Sequence, residues 1–128
     1  MQPTEEIRNQ ILAFQQTEIT EYHIYSRLAK RINSPENEKL LEKISQDELR
    51  HYNEWKGHSG KDVQPQWLKV WWYYFVSRVF GYTFGVKLME RGEEKAQKNY
   101  ASIAAIIPDA ARIQHEEDEH EEQLIAML

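Results

Sequence analysis

Hydrophobic residues recur along the chain at alternating intervals of three and four, which is the spacing of an amphipathic α-helix. No stretch shows the strict alternation that is typical of a half-buried β-strand. The first periodic segment follows Thr4, a suitable N-cap, and its stripe contains Ile7, Ile11, Phe14, Glu18, Glu21, Tyr25, Leu28 and Ile32. Carboxylates therefore lie in the middle of an otherwise apolar stripe.

Helix start signals divide the rest of the chain into further segments. Ser34 and Pro35 predict the start of a second helix, whose stripe reads Leu41, Ile44, Glu48, His51 and Trp55. A long loop is predicted from Gly57 to Gln66. The pattern is helical again from Trp67 to about Ile106, and a bend or break at Gly81 and Gly85 leaves an aromatic segment from Trp67 to Phe80 before the third bundle helix. The third stripe then reads Val86, Glu90, Glu93, Gln97, Tyr100 and Ala104, and after Pro108 the fourth reads Ile113, Glu117, His120, Leu124 and Met127.

These four stripes predict an all-α fold. We expect a four-helix bundle made of two antiparallel helical hairpins, with the long loop as the crossover between them. A length of 128 residues suits a single domain over residues 1–128. The spacing of the stripes is that of helices packed nearly parallel to their neighbours.

The amino-acid composition limits the kinds of metal site and partner that the chain can have. The chain has no Cys, which excludes disulfides, thiolate-bound zinc and iron–sulfur centres, so any metal must be held by His and carboxylates. Its net charge of −5 disfavours nucleic-acid binding. The first residues lack the pattern of a signal peptide, which predicts a cytoplasmic location. Lys69, Arg78 and Lys87 interrupt the most apolar stretch and argue against a membrane span.

Two Glu-x-x-His pairs carry the candidate chemistry, Glu48 with His51 and Glu117 with His120. Residues three apart lie on one face of a helix, so both side chains of a pair can reach one ion. A single pair has little specificity in a chain with 17 Glu and 5 His. Each pair, however, lies in the second helix of its half and within the apolar stripe.

A two-fold repeat connects the halves. Glu18 and Tyr25 recur 75 residues later as Glu93 and Tyr100, and Glu48 and His51 recur 69 residues later as Glu117 and His120. Glu and Glu-x-x-His repeated on four helices form the ligand set of a dinuclear carboxylate site in a bundle core. Carboxylates and imidazoles suit iron or manganese, and four carboxylates offset the charge of two divalent cations.

Three segments extend this pattern to a known family. They are Thr17–Tyr25 (TEITEYHIY), Gly92–Tyr100 (GEEKAQKNY) and Gln46–His51 (QDELRH). The chain resembles the ferritin-like superfamily, and within it the rubrerythrin and erythrin group. The resemblance implies two iron ions, with Glu48 and Glu117 as bridging ligands, Glu18 and Glu93 as terminal ligands, His51 and His120 as caps, and Tyr25 and Tyr100 as hydrogen-bond donors to the ligands.

The resemblance implies a function in iron homeostasis or defence against oxidative stress. We expect the protein to bind Fe(II) and oxidise it with O2 or H2O2, as a ferroxidase or peroxide reductase. The segments Val70–Phe75 and Leu88–Glu93 resemble erythrin domains that precede a membrane iron-transporter domain, so a non-catalytic module that captures or senses iron for such a transporter is the alternative. A metal-free helical interaction protein is a third hypothesis.

Several residues allow two interpretations. Glu21 and Glu90, each one turn from a proposed ligand, are either additional metal ligands or solvent-facing, and Tyr25 and Tyr100 are either core aromatics or donors to the ligands. We interpret His23, His58 and His115 as surface residues and the acidic run from Glu116 to Glu122 as a solvated face. Trp67, Trp71, Trp72 and Phe75 favour the core or a subunit interface over membrane contact, and an interface implies a homodimer.

Overall fold

The computed structural model describes residues 4–81, 85 and 107–127, and this part of the chain is helical with no β-strand. Its helices are α1 (Glu5–Ala29), α2 (Pro35–Ser59), α3 (Trp67–Phe80) and α4 (Pro108–Met127). The all-α prediction is confirmed at this level. The predicted third stripe, from Val86 to Ala104, lies outside the described residues. The chain divides into two compact units, residues 1–75 and 76–128, and the single domain stays a prediction.

Local capping explains where the first two helices begin. The Thr4 hydroxyl accepts a hydrogen bond from the backbone N–H of Ile7 at 3.2 Å, and the Ser34 hydroxyl accepts one from Asn37 at 3.3 Å. Each bond satisfies a backbone donor that has no partner within its own helix. Pro35 follows Ser34 at the first helical position, where a missing N–H costs nothing. Both predicted starts are confirmed.

The predicted end of α2 is wrong by three residues. The loop was expected to begin at Gly57, but the helix continues through Ser59 and ends at Gly60, whose φ of 70° is left-handed. Glycine adopts this conformation without steric cost, whereas Gly57 keeps the helical one. The Ser59 hydroxyl also donates to Gln15 Oε1 at 2.6 Å, which holds the last turn of α2 against α1.

Helices α1 and α2 pack together and bury one apolar core. The side chains of Phe14 and Trp55 lie with ring centroids 5.5 Å apart, and each such buried side chain contributes about 1.5 to 3 kcal/mol by leaving water. The core residues of these two helices include Ile11, Phe14, Ile24, Tyr25, Leu28, Leu41, Ile44 and Trp55. The metal-ligand candidates of the first unit lie within this layer.

Segment 61–66, the non-helical chain between Gly60 and α3, is tied to both helices. Gln15 donates to the carbonyl of Lys61 at 2.7 Å, and the Tyr52 hydroxyl accepts from the N–H of Val63 at 3.1 Å. The N–H of Gln66 donates to the Thr20 hydroxyl at 3.0 Å just before α3 begins. Hydrogen bonds from α1 and α2 therefore hold the backbone that leads into α3.

The third helix is apolar on more than one face. Val70 and Val76 are buried, whereas Trp67, Trp71, Trp72 and Phe75 are exposed. The core interpretation of those four aromatic residues is wrong, because the buried side of α3 is occupied by the valines instead. Among the described residues, no helix combines the length and apolarity that a membrane crossing requires.

Candidate metal centre

Three ligand-type side chains meet inside the first unit. Glu18 comes from α1, and Glu48 and His51 come from α2, one turn apart. Glu18 is 1% exposed, and Glu48 and His51 are both 0% exposed. His51 Nδ1 lies 3.5 Å from Glu18 Oε2 and 3.4 Å from Glu48 Oε1. Each residue offers one ligand atom within 4.8 Å of the others, so this buried group can hold a metal ion.

The spacing within the group fits a coordinated cation. An ion about 2.1 Å from each ligand atom keeps neighbouring nitrogen and oxygen ligands about 3.0 to 3.4 Å apart. The distance of 3.4 Å from His51 Nδ1 to Glu48 Oε1 is at the upper end of this range, and the distance of 3.5 Å to Glu18 Oε2 lies just above it. Two carboxylates and one imidazole are donors that suit iron, manganese or zinc. The donor set therefore fits the iron or manganese expected from the sequence, without distinguishing between them.

Apolar packing keeps the group dry and in position. Phe14 lies one turn before Glu18 on α1, while Ile44 and Trp55 lie one turn on either side of Glu48 and His51. All three apolar side chains are buried. Burying a carboxylate costs several kcal/mol unless a cation or hydrogen bonds compensate. The apolar layers thus increase the electrostatic benefit of a bound cation.

The second unit contains the other Glu-x-x-His pair in α4. Glu117 and His120 are 5% and 1% exposed, and His120 Nδ1 lies 3.9 Å from Glu117 Oε2. Ile113 and Leu124, one turn before and after the pair, are fully buried. The same ring nitrogen faces the glutamate in both pairs, so the repeat seen in the sequence extends to side-chain geometry.

The comparisons with known proteins add nothing to this geometry. No protein-family model, curated protein or solved structure matches the chain. The resemblance to the rubrerythrin and erythrin group therefore stays a prediction that depends on the motifs alone.

The structure describes only some of the remaining candidates. Glu90, Glu93 and Tyr100 lie outside the described residues. Tyr25 is fully buried, and Glu21 is buried rather than solvent-facing. Burial raises the pKa of the partly buried Tyr73, and the negative charge of Glu21 raises it further.

The histidines outside the two pairs have other environments. His58 and His115 are exposed, as predicted, although His58 belongs to the last turn of α2 rather than to a loop. His115 pairs with Glu119 at 3.0 Å. His23 is half-buried rather than fully at the surface, and its Nδ1 accepts a hydrogen bond from Arg27 at 3.1 Å. Burial lowers the pKa of His23, and the positive charge of Arg27 lowers it further.

The acidic run of α4 has the predicted solvated face. Asp118, Glu119 and Glu122 are exposed, whereas Glu117 and His120 point into the buried side of the helix. The candidate ligands Glu117 and His120 therefore lie on a different face of α4 from the exposed acidic residues.

Sequence reasoning missed the polar residues that hold the group in place. Gln15 is fully buried one turn before Glu18, and it bonds both Ser59 and the backbone of Lys61. Thr20 bonds the backbone of Gln66 two residues after Glu18. Their signal in the sequence is weak, because a polar residue beside the apolar stripe is also typical of a solvent-facing helix edge.

Proposed function

We propose that the protein is a di-iron carboxylate protein that binds Fe(II) and oxidises it with O2 or H2O2. The observation that carries this proposal is the buried group of Glu18, Glu48 and His51, in which one imidazole nitrogen faces two carboxylates at 3.4 and 3.5 Å. Support comes from the second Glu-x-x-His pair in α4, in which His120 Nδ1 faces Glu117 at 3.9 Å. Neither feature is needed for a helical core.

The proposed centre combines both halves of the chain in an antiparallel, ferritin-like bundle. Glu48 and Glu117 would be the ligands shared by the two metal ions, Glu18 and Glu93 would each be a terminal ligand, and His51 and His120 would each bind one ion. Four carboxylates balance the charge of two divalent cations, which a dry core requires. The spacing of the repeated motifs in the sequence supports this assignment.

The protein's own residues bind and orient the ions. Glu48 and His51 are one turn apart on the same rigid helix, so their relative position is set before metal arrives. Glu18 faces them from α1, and the buried rings of Phe14 and Trp55 exclude water from this layer. When bound, the iron pair supplies the electrons that reduce the oxidant.

Metal counting tests the ligand assignment. The wild-type chain should bind two Fe(II) per chain under anaerobic conditions, and the double variant Glu48→Gln, Glu117→Gln should bind none tightly. Glu42→Gln is the matched control, because Glu42 is exposed on the same helix as Glu48. Unchanged stoichiometry in the double variant contradicts the proposal, and one ion per chain in the wild type contradicts a dinuclear centre.

Turnover tests the reaction. We expect the wild-type protein to consume O2 or H2O2 over many equivalents of added Fe(II), and the double variant to be inactive. Reversible Fe(II) binding without consumption of either oxidant would contradict the oxidase function and support the iron-capture module instead. Both measurements use the intact chain and include circular dichroism to show that each variant is folded.

A further inference from the structure

An exposed apolar stripe runs along α3. Leu68, Trp72, Phe75 and Val79 are 90%, 59%, 58% and 56% exposed. Their intervals of four, three and four residues place them on one face of the helix. Val70 and Ser77 are buried on the opposite side. A helix that is apolar on a face turned away from its own protein is typical of an interaction surface.

Two segments beside this stripe have only positively charged side chains. Segment 63–81, which contains α3, has Lys69 and Arg78 and no acidic residue. Segment 22–35, at the end of α1, has Arg27, Lys30 and Arg31 and again no acidic residue. This concentration of cations occurs in a chain whose net charge is −5. These two segments therefore have a charge opposite to that of the whole chain.

Contacts within the first unit bring the two cationic segments together. The guanidinium of Arg27 lies 5.6 Å from the ring centre of Trp67 and 5.2 Å from that of Trp71. Arg31 lies 5.9 Å from the ring centre of Tyr74. Trp67, Trp71 and Tyr74 lie on one flank of the stripe together with Arg78, and Lys69 lies on the other flank. Cations thus border the apolar stripe on both sides.

We propose that α3 docks the protein on a lipid bilayer that contains anionic phospholipids. Leu68, Trp72, Phe75 and Val79 enter the boundary between headgroups and acyl chains, and the flanking cations contact the phosphates. Tryptophan and tyrosine are enriched at this depth, because their rings have both apolar and polar parts. From Leu68 to Val79 the stripe is about 16 Å long, so the helix lies in the interface plane.

Charge favours a bilayer over a second copy of this chain. An antiparallel pair of α3 helices places like flanks together, so Arg27, Arg31 and Arg78 of one copy face the same cations of the other. Such like-charge contacts destabilise an interface. An anionic bilayer instead attracts every one of these side chains. The occupant that matches both the apolar stripe and its border is therefore a lipid surface.

Vesicle binding of the full chain tests this proposal. We expect sedimentation with phosphatidylcholine vesicles in which about a third of the lipid is phosphatidylserine, and none with phosphatidylcholine alone. Salt at about 1 M should release the protein, because it shortens the Debye length to about 3 Å. Lys69→Gln should weaken binding about fivefold, and the double variant Trp72→Ser, Phe75→Ser should abolish it. Lys39→Gln, an exposed site on α2, is the control.

Four outcomes would overturn the proposal. They are the absence of binding to the anionic vesicles, equal binding to both kinds of vesicle, unchanged binding by the double variant, and equal weakening by Lys39→Gln and Lys69→Gln. A wild-type dimer that ignores vesicles and becomes monomeric in the double variant would assign the stripe to a subunit interface. Because the double variant changes exposed side chains of α3, its metal stoichiometry should stay that of the wild type.

Discussion

Replacing Glu48 by glutamine should stabilise the metal-free protein and abolish its stabilisation by metal. Glutamine keeps the shape of the side chain, so no cavity forms at this fully buried position. It removes one of two carboxylates that face the same imidazole nitrogen. If Glu48 contributed only to packing, the substitution would show neither effect. If Glu48 is a metal ligand, its carboxylate lowers the stability of the metal-free protein.

The magnitude follows from the spacing of the two carboxylates. Ligand atoms of Glu18 and Glu48 lie within 4.8 Å of each other, where like charges repel by about 3.5 kcal/mol at an effective dielectric constant of about 20. Protonation of either carboxylate or of His51 relieves part of this energy in the metal-free protein. We therefore expect Glu48→Gln to raise the free energy of unfolding by about 1 to 3 kcal/mol in EDTA.

Urea unfolding with and without metal measures both effects. Mn(II) serves as a redox-stable probe, and at about 100 times its dissociation constant it should stabilise the wild-type protein by about 2.7 kcal/mol. Glu48→Gln should lose most of this increment, and the exposed control Glu42→Gln should keep it. A variant that is less stable than wild type in EDTA, or that keeps the full increment with Mn(II), would refute the reasoning.

Three further predictions concern single residues. Gly60→Ala should lower the free energy of unfolding by about 1 kcal/mol in urea titrations, because the backbone φ of Gly60 is 70°. Gly60→Asn should lower it less, because asparagine tolerates this conformation better than alanine. His23 has a pKa below 6.5 in the folded protein, owing to burial and then to Arg27. The unfolded chain therefore binds the proton more tightly, and the free energy of unfolding falls as the pH drops below 6.5. His23→Gln should make this decrease smaller when the free energy of unfolding is measured as a function of pH. Glu21→Gln should lower the pKa of Tyr73 while burial keeps it above 10.0, as a titration of the Tyr73 ring by NMR would show.

Local signals were sufficient to predict where the helices begin. Thr4 and Ser34 cap α1 and α2 as expected, and α3 and α4 start at Trp67 and Pro108. These signals act through neighbours in the sequence, so a single chain reveals them. The meeting of Glu18 with the Glu48 pair could also be predicted, because each lies in the apolar stripe of a neighbouring helix.

Features that depend on distant residues could not be predicted. Gly57 and Gly60 both signal a helix end, and Ser59, in the turn between them, donates a hydrogen bond to Gln15, which is 44 residues away in sequence. Likewise, the apolar sequence of α3 does not indicate which of its faces is buried within the chain. The exposure of Trp72 could be recognised only from the structure, in which Val70 and Val76 are buried and Trp72 is not.

The buried polar residues of the first unit belong to two groups with different partners. Gln15 and Thr20 bond backbone groups of segment 61–66, and such bonds compensate their burial and indicate a structural role. Glu18 and Glu48 instead converge on one nitrogen of His51, which brings two negative charges together. Two carboxylates in a dry core repel each other unless a cation or a bound proton compensates one of the charges. This difference in partners supports the proposal that the second group holds a metal ion and that the first group is the framework around it.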